Sequence, residues 1–153
     1  MRKYVKNIID ELPIKTEKFQ EVASPETKNL FKVDRSKPLN KNKATLFHTT
    51  VARGLLLWKI ARLDIQPIIA VLCTIVKQPN QGDWNKLLIL SKYIVGNQYF
   101  FLTLKAYKTS SLKCYVDAQF TVRLVFKPHT GSSLTMGKGE IVSVSQKQNW
   151  IQK

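Results

Sequence analysis

Acidic residues are scarce in this sequence: 10 Asp and Glu stand against 25 Lys and Arg. A two-metal phosphoryl-transfer site needs several carboxylates to hold its ions about 4 Å apart. Downstream of Asp117 the sole acid is Glu140, and between residues 44 and 116 there are only Asp64 and Asp83, both placed where a helix cap is wanted. By that count the chain cannot build a full two-metal site alone. Histidine is as sparse. His48 falls in a helical stretch as a packed or surface residue, and His129 falls in a Pro-His-Thr-Gly turn, neither with a partner at metal-ligand spacing. Cys73 and Cys114 make no metal spacing and no disulfide framework, and both read as buried thiols of a reduced intracellular protein. The longest apolar run, IIAVLC at 68–73, is far below the roughly 18–20 residues of a membrane span. MRKYVKNIIDEL carries acids by position 10 and no small-residue cleavage pattern, so no signal peptide is expected. The chain is expected in the cytoplasm or nucleus, not secreted and without a membrane partner. GSSLTMGKG lacks the glycine spacing of a phosphate-binding loop, and there is no nucleophile elbow and no internal repeat.

What is present in excess is positive charge. The net +15 is spread evenly: residues 1–43 carry eleven bases against six acids, 44–105 seven against two, and 106–153 seven against two. An even basic surface favours a polyanion such as nucleic acid, through long-range attraction and counterion release. The same lysines would also serve simply to solvate a surface. With 44% hydrophobic residues, 10% of the chain aromatic, the sequence is rich enough to bury a core.

The chain divides by texture. Residues 1–43 are polar and punctuated by Pro13, Pro25 and Pro38, and predict an extended, partly disordered connector. Within it 3–12 could form a short helix or strand, and Leu30, Phe31 and Val33 an anchor point. From 44 to 62, Phe47, Val51, Leu55, Trp58 and Arg62 recur at three- and four-residue spacings, a helical period with Gly54 inside it. IQPIIAVLCTIVK (65–77) is apolar nearly all round and reads as a buried helix with Pro67 in its first turn. Asp64 is placed to cap it. Asp83 is placed to cap WNKLLILSKYIVGN, which Gly96 or Asn97 would end in a left-handed turn. Residues 44–98 thus predict a small helical bundle. Beyond residue 98, YFFLTLKAY and SLKCYVDAQF predict a hairpin across KTSS, and 129–136 with 139–145 a second pair around GKG. The expected class is α+β, a helical subdomain followed by an antiparallel sheet of three or four strands over 99–153. On these grounds alone Asp117 reads equally as the polar end of a strand and as a metal ligand.

The order of the motifs narrows the choice. FHTTVARGLLLWKIARLDI (47–65) is followed by IIAVLCTIV (68–76), then PNQGDWNKL (79–87), SKYIVGN (91–97) and VDAQFTVRLVFKPHTGSSLTMGKGEIVSVSQKQ (116–148). This series resembles the C-terminal part of a copia-type retrotransposon Pol polyprotein, running from the end of the reverse transcriptase into the start of the ribonuclease H domain. That family reads FHxxVAKLLFLxKRARPDI, AVAFLCTRV, an RYLKGT ending, and VDASFA…KSHTGxxLxxGKGxIxSxSxKQ in the same order. DELP (10–13) and ETKNLFKV (26–33) resemble its linking segment.

The resemblance implies that 44–98 corresponds to the thumb and connecting region that grips a template–primer duplex. It implies that 99–146 opens a ribonuclease H-like sheet in which Asp117 matches the first magnesium ligand. The departures matter as much. The polymerase motif Y-V-D-D is absent, the later ribonuclease H carboxylates (T-E-A-E) are absent, and Leu63, Gln119 and Pro128 replace the family residues. The expectation is therefore a fragment without catalysis of its own. It needs no cofactor, where the intact family uses magnesium, and Asp117 is a vestigial catalytic residue of an incomplete site. Its partners would be RNA–DNA hybrid or RNA, and the rest of a Pol polyprotein, with Arg53, Lys59, Lys86 and Lys92 as helix-borne phosphate contacts. The competing expectations are a basic RNA- or protein-binding adaptor recruited from such an element, and a decayed copy with no selected function.

Overall fold

Two of the described helix starts are made by asparagine. In the computed structural model, Asn40 Oδ1 accepts a hydrogen bond from the Lys43 amide at 2.9 Å and opens helix α2, Lys41–Ile60. Asn80 opens helix α4, Gln81–Gly96, in a reciprocal capping box. Its Oδ1 accepts from the Asp83 amide at 3.0 Å, and the Asp83 carboxylate accepts from the Asn80 amide at 3.1 Å. Asp83 is therefore the third residue of the helix and not its cap, because Asn80 reaches the free amides first. Asp64, also expected as a cap, sits in a single 3-10 turn at Leu63–Ile65 with its carboxylate turned to Arg62. Helix α3, Gln66–Ile75, follows with Pro67 in its first turn, where a missing amide costs nothing. Helix α1, Arg2–Glu11, opens the chain. The described residues are 2–11, 22–25, 30, 34, 36–100, 102–107, 111–119 and 129–147.

Two units divide the chain, Met1–Phe100 and Phe101–Lys153. The first holds the core. Phe47, Val51 and Leu57 of α2, Ile68, Ile69 and Leu72 of α3, and Leu87, Leu90 and Ile94 of α4 are all 2% exposed or less. Gly54 lets α2 and α3 approach closely, since a Cβ there would lie 2.5 Å from Ile69 Cδ1. Within the expected connector, residues 2–11 take the helix of the two forms open to 3–12. Val5 and Ile8 recur at helical spacing and are buried in the same core, each worth roughly 1.5–3 kcal/mol of removed apolar surface. Leu30 is buried too, as an anchor should be, while Phe31, Val33 and Pro13 lie outside the described residues. Residues 36–40 are pinned to the start of α4. Leu39 donates to the Pro79 carbonyl at 2.9 Å, the Gln81 amide donates to the Lys37 carbonyl at 3.1 Å, and Pro38 bridges Asn80. Helix α4 does not end in a left-handed turn. Asn97 has φ −113° and satisfies the terminal Tyr93 carbonyl with both its amide and its side chain, which leaves no need for one. Among the described residues no helix is long and apolar enough to cross a membrane.

The second unit is antiparallel sheet, which makes the class α+β. Strands β1 (Lys105–Ala106), β2 (Lys113–Gln119), β3 (His129–Thr135), β4 (Gly137–Lys138) and β5 (Val142–Lys147) form a three-stranded sheet in the order β2-β3-β5 and a separate β1-β4 pair. The pairing of 129–136 with the segment after GKG is present, with Leu134 opposite Val142. Among the described residues the expected hairpin between 99–107 and 111–120 is not. Lys105–Ala106 pairs with Gly137–Lys138, and β2 pairs with β3, Asp117 opposite Gly131. The β1-β4 pairing depends on Gly137, whose missing Cβ would collide with the Lys105 carbonyl. Alternating apolar residues mark a strand without naming its partner. Lys108, Thr109 and Ser110 of the expected turn lie outside the described residues.

The register sorts the side chains by face. Cys114, Val116 and Ala118 lie across from Leu134, Ser132 and Thr130, which in turn face Val142, Val144 and Gln146. The opposite face carries Lys113, Tyr115 and Asp117 of β2, and Ser133 and Gly131 of β3. One face is thus largely apolar, yet Val116 is 69% and Val142 48% exposed. Cys114, expected to be buried, is exposed for this reason, while Cys73 in α3 is half-buried and its thiol is pushed up by that burial.

Candidate nucleic-acid interface

The four cations expected to meet phosphate occupy different settings. Arg53 is paired with Glu11 of α1, so a phosphate would have to displace a carboxylate. Both side chains are well solvated, and such a pair is worth about 0–1 kcal/mol. Lys59 is exposed in the last turn of α2, where a cation also complements the helix dipole. Lys86 is half-buried and pairs with Asp83 at 3.3 Å, and Lys92 is half-buried on α4. Six residues separate Arg53 from Lys59 and Lys86 from Lys92. At about 100° per residue each pair sits roughly 120° apart around its helix. The structure therefore does not bring the four into one stripe.

A different group of cations does gather. Lys37, Lys41 and Lys43 are all exposed at the start of α2, and Lys43 stands 5.5 Å over the Trp84 ring of α4. Lys37 and Lys43 border an open pocket of about 400 Å³ whose wall also includes Ser36, Asn40 and Gln81. These lysines are brought there by the pinning of 36–40 to the start of α4. Their signal in the sequence is the run KPLNKNK, which composition alone assigns to a connector. The Asn40 cap converts the same run into a helix start. Exposed Lys3 and Lys6 on α1 and Lys77 after α3 add to the basic surface of this unit, and His48 is exposed on α2.

Not every basic residue is available. Arg62 is 2% exposed and fully engaged. Its Nε donates to Asp64 Oδ1 at 2.9 Å, its Nη2 to Asp64 Oδ2 at 2.8 Å, and its Nη1 to the Asn97 carbonyl at 2.8 Å. The Tyr93 hydroxyl donates to the same Asp64 carboxylate at 2.9 Å. The guanidinium lies 5.4 Å from the Tyr93 ring and 5.6 Å from the Phe100 ring. Burial pushes the Tyr93 phenol above its ordinary range; the Asp64 carboxylate adds to this and Arg62 opposes it. This network is structural. Its residues read in sequence as one end of a helical stripe and a cap, because nothing in spacing tells a buried guanidinium from an exposed one.

Asp117 is exposed on β2. Among the described residues no group of three or more His, Cys, Asp or Glu side chains could hold a metal ion. Glu140, the other acid of the sheet unit, is half-buried in the turn before β5. One carboxylate is not a donor set for magnesium, so the residues described here do not fit that ion. Comparison with protein-family models, curated proteins and solved structures yields no match.

Proposed function

We propose that this chain is a non-catalytic nucleic-acid-binding fragment descended from a copia-type Pol polyprotein, and that it grips an RNA–DNA duplex through backbone phosphates. The observation that carries the reading is the distribution of free charge in the helical unit. Lys3, Lys6, Lys37, Lys41, Lys43, Lys59 and Lys77 are exposed, whereas of the described acids Asp83 is buried and Asp64 and Glu11 are tied to arginines, so that exposed Asp10 and Asp34 offset only part of the excess. Contacts of this kind position a duplex without reading its sequence. The three-stranded antiparallel order with Asp117 in the leading strand is compatible with the opening of a ribonuclease H-like sheet, which supports the same ancestry. The reading needs no cofactor.

Titration of the full chain with RNA–DNA hybrid at several salt concentrations tests it. Binding is expected to weaken steeply with salt, and Lys37→Gln, Lys41→Gln and Lys43→Gln together are expected to flatten the log–log slope by about 2–3. Absence of binding at low salt would overturn the proposal. Magnesium-dependent cleavage of the hybrid that Asp117→Asn abolishes would overturn its non-catalytic part.

A further inference from the structure

Strand β2 has β3 on one side and, among the described residues, no strand on the other. Lys113 through Ala118 are exposed throughout, Tyr115 at 59% and Val116 at 69%. Such an edge offers unpaired amides and carbonyls as a template for another strand, and KCYVDAQ contains no proline to block one. Two charges of opposite sign lie on its polar face, Lys113 and Asp117, two residues to either side of Tyr115.

That arrangement is self-complementary. Laid antiparallel against the same strand of a second copy with the two-fold axis at Tyr115, Lys113 of each copy falls opposite Asp117 of the other. Tyr115 meets Tyr115, and on the other face Cys114 meets Val116. Opposite charges and aromatic pairs directly across an antiparallel ladder both stabilise it. The neighbouring registers that keep the faces matched lose the charge pairing. An axis at Cys114 sets Lys113 against Tyr115, and one at Val116 sets it against Gln119. The axis at Tyr115 also continues the apolar face, so that Cys114, Val116 and Ala118 gain apolar neighbours from the second copy.

We propose that β2 is a homodimerisation strand, joining two copies into a six-stranded antiparallel sheet with Tyr115 on the symmetry axis. The contact is isologous, so it closes at two copies. Sedimentation of the full, nucleic-acid-free chain at physiological ionic strength tests it. A concentration-dependent monomer–dimer equilibrium is expected. Lys113→Asp and Asp117→Lys, which each set like charges opposite one another twice, are each expected to weaken it by about tenfold or more. The double exchange Lys113→Asp with Asp117→Lys is expected to restore it, and this guards against either single variant merely damaging the strand. Lys105→Asp, an exposed change in β1, is expected to leave it unaltered. A chain that stays monomeric up to roughly several hundred micromolar would overturn the proposal. So would single reversals without effect, or a double exchange that fails to recover the dimer.

Discussion

Arg62→Ala is expected to lower the unfolding free energy of the helical unit by about 3–5 kcal/mol, read from denaturant unfolding followed by helical circular dichroism. The guanidinium satisfies three acceptors at once: both Asp64 oxygens and the Asn97 carbonyl. Truncation leaves a largely buried carboxylate without its counter-ion and a helix-terminal carbonyl without its donor. Lysine cannot rescue it, because a single ammonium lacks the fork that spans Asp64 and Asn97. Methionine in place of Arg62 keeps the stem but strands the same carboxylate, so it should help little unless Asp64 is replaced as well. Tyr93→Phe probes the network through pH. The folded state holds the phenol above its unfolded value near 10, so its contribution is fully present below that value. It is lost as pH rises through the folded pKa, where phenolate would face the Asp64 carboxylate. Stability of the native chain is therefore expected to fall in that alkaline window, and Tyr93→Phe should flatten the fall.

Phe47→Ala is expected to cost a similar amount, about 3–5 kcal/mol, for the opposite reason. Arg62 and Phe47 head the large, fully buried side chains among the described residues. Phe47 makes no polar contact. Its loss removes transfer energy and leaves a cavity that three close-packed helices cannot collapse into. The two variants should be told apart by a second substitution. Phe47→Ala should cost the same in an Asp64→Asn background, whereas the cost of Arg62→Ala should shrink there, because no carboxylate is left without its counter-ion. Phe47→Leu, which refills most of the volume, should recover much of the loss.

The helices were legible because their signals are local. The stripe through Phe47 and Val51, the apolar run 68–73 and the early Pro67 each act within a turn or two of chain, and α2, α3 and α4 lie where those signals put them. Some misreadings are local too: Asp83 and Asp64 look like caps until Asn80 and Arg62, three and two residues upstream, are seen beside them. Others have long-range causes. Residues 3–12 read as helix or strand without a choice between them, because a ten-residue amphipathic segment is stable only once Val5 and Ile8 have somewhere to be buried. The partner of Lys105–Ala106 lies some thirty residues on, and alternation carries no address. For the candidate interface, charge was readable and its geometry was not. The four chosen cations sit on different faces or on acidic partners, while KPLNKNK supplies the clustered lysines.

The pinning of residues 36–40 to the start of α4 has a consequence for motion. Pro38 and Asn80 close a loop of 41 intervening residues that contains all of α2 and α3. The first turns of α2 and α4 are joined at its neck, so neither can fray without loosening the other. Amide exchange at Leu39 and Gln81 should report one shared opening event, and a phosphate held by Lys37 or Lys43 would slow both together.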